Sequence, residues 1–164
     1  MRLYVVRHAT AESRETPGLD EADRRLVEQG RSESRLAAQA MARMGARASI
    51  VVSSPLRRAV ETARPLAAML DVPLVEDRLL SPGFDTAAFA AVIDRHGDRP
   101  DMALVGHEPD LSELIGYLTG ARVALPKGAA ARIDVASLRA GTSELRWLLR
   151  PKQLRLIATT RVTV

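Results

Sequence analysis

Leu3-Tyr4-Val5-Val6-Arg7-His8 is a short, fully apolar run that ends abruptly in two polar, chemistry-bearing side chains. A run this short and continuously apolar reads as a strand buried on both faces, the kind found in parallel sheets. The same pattern returns twice along the chain. Ile50-Val51-Val52 is followed by Ser53-Ser54-Pro55, and Met102-Ala103-Leu104-Val105 by Gly106-His107. Each of these strands leads into a helical pattern, so the chain alternates strand and helix.

Between the first two strands, residues 9–27 are polar, contain Pro17 and Gly18, and read as a long loop. A helix is expected from about Glu28, with Leu36, Ala37, Ala40, Met41 and Met44 on one face and Gly45 at its C-cap. The next helix is expected to start with Ser54 as N-cap and Pro55 at its first position. Leu56, Ala59, Val60, Ala63, Leu66, Ala67 and Leu70 form its apolar face, and Pro65 is expected to kink or split it. Pro73–Val75 reads as a weak strand, 79–85 as a loop and Thr86–Arg95 as a short helix. Pro109 opens a helix with Leu111, Leu114, Ile115 and Leu118 inward. Ala131–Val135 and Leu145–Leu149 read as strands near a sheet edge, and no element is assigned beyond about Gln153. The expectation is one domain over residues 1–164, an α/β fold in which a mostly parallel central sheet carries helices on both faces as a three-layer α/β/α sandwich.

Composition narrows the function. The chain has 164 residues, 46% of them hydrophobic but only 3% aromatic, so its core is aliphatic. Scarce aromatics argue against a single-strand nucleic-acid binder, which stacks bases on rings. The absence of cysteine excludes a disulfide framework, a thiolate nucleophile and Cys-ligated zinc. No apolar stretch approaches the ~18 residues of a membrane span or the h-region of a signal peptide, so a cytoplasmic protein with neither membrane nor nucleic-acid partner is expected. The net charge is +4, and arginine dominates the basic set, with lysine only at 127 and 152.

In an open α/β sheet, ligands bind beyond the carboxyl ends of the strands. That rule selects Arg7 and His8, Arg57 and Arg58 in the first turn of the following helix, and His107. Taken singly, each has a plainer use: a hydrogen-bonded strand-end histidine, a solvated arginine, a helix cap. Together they make a phosphoryl-transfer site. Guanidinium groups grip phosphate oxygens bidentately. A neutral imidazole is a competent nucleophile. Fixed positive charge stabilises the transferring group without a metal. His96, in the polar run Asp94-Arg95-His96-Gly97, reads as a surface residue. There is no Walker A loop, Gly-x-Gly-x-x-Gly, His-Glu-x-x-His or Gly-x-Ser-x-Gly. Three scattered histidines make a poor metal set, and neither metal nor cofactor is expected.

These segments resemble a known family. Arg7-His8-Ala9 is similar to the Arg-His-Gly signature of the histidine phosphatase superfamily, which includes the phosphoglycerate mutases. Ser54–Ala63 resembles its second motif, with Arg58 rather than Arg57 matching the phosphate-binding arginine. Val105-Gly106-His107-Glu108-Pro109 resembles the third. The resemblance implies a phosphoglycerate mutase-like fold, His8 as the nucleophile, and Arg7, Arg58 and His107 as its catalytic and phosphate-binding partners. The short length resembles the SixA-like phosphohistidine phosphatases. Arg24-Arg25-Leu26 with Gly30 resembles a segment of that branch, implying that Arg24 reaches the substrate.

Two departures stand out. Ala9 replaces a glycine, which is tolerable where the backbone keeps ordinary dihedrals. The segment Leu79-Leu80-Ser81-Pro82-Gly83 lacks the carboxylate that serves larger relatives as general acid. Glu76, Asp77 and Asp85 lie off position, and a donor would have to come from Asp85 or from a loop residue such as Glu12. An alkoxide leaving group needs that acid. Phosphohistidine, protonated on its second ring nitrogen, leaves as neutral imidazole without it. The expected activity is therefore a phosphatase acting on a histidine-phosphorylated protein. A small phosphate ester is the alternative substrate, and a non-catalytic phosphate-binding regulatory module the alternative of another class.

Overall fold

A computed structural model of the chain describes residues 1–97 and 101–160. Within these residues six strands form one sheet in the order β3-β2-β4-β1-β5-β6: β1 Arg2–Arg7, β2 Val51–Ser53, β3 Leu74–Glu76, β4 Asp101–Gly106, β5 Ala130–Asp134 and β6 Glu144–Leu149. The first four run parallel, and β5 and β6 add antiparallel. Among the described residues five helices cover the sheet: α1 Glu28–Arg43, α2 Arg57–Leu70, α3 Thr86–His96, α4 Asp110–Thr119 and α5 Pro151–Thr159.

Alternation along the strands divides the core in two. Leu3, Val5, Val52, Met102 and Leu104 pack with Phe89 and Val92 of α3 and with Leu111, Leu114 and Ile115 of α4. Tyr4, Val6, Val51, Ala103 and Val105 face the other way, against α1, α2 and α5. The layer on that side is rich in small residues, Ala37, Ala38 and Ala40 on α1 and Ala59, Ala63 and Ala67 on α2, with Met41 filling the space between them and the sheet. Side chains this short let two helices and the sheet approach closely, which is how a core poor in aromatics still fills its volume. The architecture is the α/β/α sandwich expected, and no helix among the described residues is long and apolar enough to cross a membrane.

Several local expectations need correction. α2 begins at Arg57, with extended Leu56 as its N-cap residue, not at Ser54 and Pro55. Pro65 does not split α2, whose buried Ala63, Leu66 and Ala67 hold it against the sheet across the missing N–H. The segment after β3 is not all loop: Arg78–Leu80 forms a 3₁₀ turn, with the Asp77 side chain accepting from Leu79 N–H. His96 is half-buried, not a freely solvated residue: its side chain is 16% exposed and its Nε2 lies 3.5 Å from Asp77 Oδ2. The region past Gln153, where the sequence suggested no element, carries most of α5. Gln153 accepts from Arg150 N–H, Pro151 opens the helix, and Leu154 and Ala158 are buried. Residues 161–164 lie outside the described residues.

α1 ends as read. Gly45 takes φ 75°, its N–H bonds Ala42 O, and Ala46 N–H bonds Met41 O. That pair of bonds is the glycine-terminated helix stop.

Candidate active site

Strand register builds the site. In the parallel pairing of β1 with β4, Arg7 stands opposite Gly106, so the next residues, His8 and His107, emerge side by side at the sheet edge. Ser53 of β2 stands opposite Val105, which brings Ser54 alongside. His8 N–H bonds Gly106 O and Ser54 N–H bonds Val105 O, extending the ladder into the site. The two imidazole centroids are 5.3 Å apart. Arg58, in the first turn of α2, lies between them, its Nε 3.3 Å from His8 Nε2 and its Nη2 3.4 Å from His107 Nδ1. The spacing rule from the sequence thus brings His8, His107 and Arg58 into one buried cluster, with Arg7 at its edge.

Hydrogen bonding fixes the protons. His8 Nδ1 lies 2.8 Å from Ala9 O. A carbonyl can only accept, so the proton sits on Nδ1 and Nε2 keeps its lone pair. Burial, reinforced by Arg58, His107 and Arg7, pushes the His8 pKa down to about 3. His8 is therefore a neutral imidazole at ordinary pH, and its unprotonated Nε2 accepts from Arg58 Nε–H. Burial and Arg58 also lower His107, to about 4. Its Nδ1 faces a guanidinium, which can only donate, so its proton lies on Nε2 and bonds Ser54 Oγ at 2.8 Å.

Arg7 bonds Leu125 O at 2.9 Å through Nη1, and its Nε has no partner among the described residues. That leaves it donors for a ligand. A cavity of about 370 Å³ opens above His8, lined by Arg7, Ala11, Glu12, Ser13, Arg14, Arg24, Glu108 and Lys127. The loop of residues 9–27 forms much of its wall and is pinched shut at its base. Glu12 N–H bonds Arg25 O, and Val27 N–H bonds Thr10 O.

Arg24 reaches the cavity wall but not His8 directly. It is buried, its Nε bonds Glu12 O at 2.7 Å, and its Nη1 bonds both carboxylate oxygens of Glu21 at 2.9 Å. Arg57 points away, with its Nε 2.9 Å from Glu61 Oε1 on the exposed face of α2. Ala9 is buried and is not among the residues with positive φ, so its methyl is accommodated.

Sequence reasoning missed four residues. Thr62 accepts from Ala9 N–H at 3.0 Å and donates to Arg58 O at 2.7 Å, tying α2 to the strand that carries His8. Ser54, assigned to a helix cap, instead holds His107. Glu21 sits on Arg58. Glu108, directly after His107, lines the cavity, and burial raises its pKa. Ser112 N–H and Oγ–H bond its two oxygens at 3.1 Å and 2.6 Å. Of the acids weighed from sequence, Glu12 lines the cavity, whereas Asp85 caps α3 through Ala88 N–H. Two neighbours along the chain could have flagged Glu21 and Thr62: an acidic residue three before Arg24, and a threonine four after Arg58. Neither signal is specific. Among the described residues no group of three or more His, Asp or Glu is placed to hold a metal ion.

Comparison with known proteins bears on the same chain. The sequence model of the histidine phosphatase superfamily (branch 1) matches residues 3–81. An uncharacterized protein of Picosynechococcus sp. is 34% identical over 94% of this chain and 99% of its own. Among solved structures, the protein histidine phosphatase SixA complexed with tungstate superposes with a TM-score of 0.81, covering 94% of this chain and 99% of that one at 21% identity. The α-ribazole phosphatase of Shigella flexneri gives 0.73, covering 92% and 97% at 18% identity. At these identities the two structures speak for the fold, and the sequence matches speak for descent. Taken with the paired histidines at the strand ends, they make this chain a member of the histidine phosphatase superfamily.

Proposed function

We propose that this protein is a phosphatase that takes a phosphoryl group onto His8 Nε2 and passes it to water, with protein phosphohistidine as its substrate. The observation that carries the reading is the neutral His8 ring, held by Ala9 O so that its lone pair lies on Nε2 beside Arg58 and His107.

In the first step Nε2 forms a bond to phosphorus as the P–N bond of the substrate breaks. A substrate histidine protonated on its other nitrogen departs as neutral imidazole, so no acid is consumed. In the second step water attacks phosphorus, the P–N bond to His8 breaks, and dihydrogenphosphate and neutral His8 result. Arg7 and Arg58 meet the equatorial oxygens. His107 can join them: the Ser54 hydroxyl both donates and accepts, so it can give its hydrogen to Nε2 and free a proton for Nδ1, facing the phosphoryl group. All these groups belong to the chain itself, so the reaction requires no metal. The soluble, cytoplasmic setting expected from the sequence suits such a substrate.

A second reading rests on Glu108. A carboxyl with a raised pKa, in the same cavity as His8, is suited to protonating an alkoxide. That chemistry fits a small phosphomonoester, and a cavity of about 370 Å³ has room for one.

The test is phosphate release from a phosphohistidine protein and a series of aryl and alkyl phosphates, with rapid quenching and peptide mapping. Acid-labile phosphate is expected on His8, with no turnover in His8→Ala and full activity after treatment with EDTA. Label on His107 or a serine, or loss of activity on chelation with rescue by a divalent ion, overturns the mechanism. Efficient alkyl phosphate hydrolysis that disappears in Glu108→Gln selects the second reading.

A further inference from the structure

The site holds an anion of its own. Glu21 Oε1 lies 2.9 Å from Arg58 Nη2, while Arg58 Nη1 bonds the Glu21 carbonyl at 2.8 Å. The same carboxylate takes Arg24 Nη1 at 2.9 Å through both oxygens, and Arg14 Nε approaches to 3.7 Å. Three arginines therefore converge on one carboxylate. With Nε against His8 and Nη2 shared between Glu21 and His107, each nitrogen of Arg58 already faces an acceptor. The cavity reaches Arg7, His8, Arg14 and Arg24, whereas Arg58, His107 and Glu21 lie behind its wall, and the Arg58 side chain is 1% exposed.

A phosphoryl group in line with His8 Nε2 takes the place of Arg58 Nε–H on that nitrogen and draws its oxygens to the Nη2 edge of Arg58, which Glu21 covers. We propose that the Glu21 carboxylate is a displaceable occupant of the phosphoryl site and sets its selectivity, yielding Arg58 and Arg24 to a phosphoryl dianion but not to a monoanion. The inference rests on the phosphatase reading and adds to it the residue that decides which anions enter. Charge supplies the discrimination. A dianion replacing one carboxylate improves its interaction with three guanidinium groups, whereas a monoanion merely exchanges like for like.

The loop is built for this exchange. Its backbone is anchored on α2 by Arg58 Nη1 to Glu21 O and by Arg57 N–H to Ala22 O at 3.1 Å. The Glu21 side chain, by contrast, is 47% exposed and can turn to solvent while those anchors hold. Burial favours the protonated acid, but Arg24, Arg58 and Arg14 outweigh it and hold the carboxyl below its usual range. Glu21 is therefore charged at neutral pH, and it leaves by competition, not by protonation.

Calorimetric titration of wild type and Glu21→Gln with inorganic phosphate, tungstate and the monoanion dimethyl phosphate tests this. Glu21→Gln is expected to bind phosphate and tungstate at least tenfold more tightly, and to gain measurable affinity for dimethyl phosphate that wild type lacks. Equal or weaker oxyanion binding in Glu21→Gln, where wild type binds, overturns the inference and leaves the phosphatase reading standing. Absence of phosphate and tungstate binding in wild type overturns both. A second readout needs no variant. In wild-type protein carrying ¹³C-labelled glutamate, the Glu21 carboxyl resonance should shift with the same midpoint as tungstate binding. A resonance unmoved at saturation overturns displacement.

Discussion

Arg57 and Arg58 are chain neighbours with opposite fates, and a turn of about 100° per residue is the reason. Arg58 turns inward between the two histidines, while Arg57 turns out to Glu61. Arg58→Ala should lower kcat at least ~100-fold, the order seen when one preorganised charge donor is removed from a transition state. Arg58→Lys should recover little, because an ammonium cannot span His8 and His107 as the guanidinium fork does. Arg57→Ala should stay within about threefold of wild type, since it removes only an exposed pair. Equal losses at the two positions in steady-state kinetics would contradict the geometry. His8, Arg7, Arg58 and His107 were legible in the sequence because each stands at, or one short turn beyond, a strand carboxyl end, a place that pattern alone locates. Glu21 and Glu108 were not. A carboxylate held by arginines from a loop has no period, and the search for an acid followed the segment after β3, whereas Glu108 follows β4.

At the scale of elements, the loop of residues 9–27 and the start of α1 depend on one close approach. The α1 helix begins directly under Thr10, whose carbonyl accepts from Val27 N–H. A methyl group on Gly30 would collide with that same carbonyl and its carbon. Neither atom belongs to a flexible side chain, so the strand-end segment carrying His8 or the helix must shift. Gly30→Ala is therefore expected to cost about 2–3 kcal/mol in urea unfolding, despite alanine's better helix propensity, and to weaken phosphate binding by displacing the loop wall. Unchanged stability would show that the junction yields easily. Strands and most helices were readable because their apolar periods are strong and Gly45 marks a stop. The α5 helix escaped because its inward face is only Leu154, Ile157 and Ala158, too short a stripe to stand out. It is held largely by tertiary partners, including Arg43 Nη1 on Ile157 O and Thr160 O at 3.1 Å and 2.7 Å. Ser54 misled for the opposite reason: Ser-Ser-Pro is a sound start signal, but His107, 53 residues away in sequence, claims the hydroxyl.

The molecule as a whole should show the cost of keeping its central histidines neutral. In the unfolded chain both titrate near 6.5, whereas in the fold burial and the surrounding arginines hold His8 at about 3 and His107 at about 4. Between those limits the unfolded state binds protons that the folded state does not, so stability falls as pH falls. Each histidine can contribute a slope of up to about 1.4 kcal/mol per pH unit in that window. Glu108 acts in the opposite sense, since burial raises its pKa and favours the fold as it takes up a proton, but it is one group against two. Glu21 and Asp77, held low by their arginines and hydrogen bonds, add their loss only below the ordinary carboxylate range. Urea midpoints should therefore be level above pH 7 and decline steadily from about 6.5 towards 5, before any depressed carboxylate contributes. His8→Gln should flatten that decline to roughly half its slope, because one of the two titrating groups is gone. A wild-type midpoint that holds level from pH 7 to 5 would mean that the histidines are protonated in the fold. Protonation would remove the lone pair on which nucleophilic attack depends, so stability against pH tests the chemistry without a substrate.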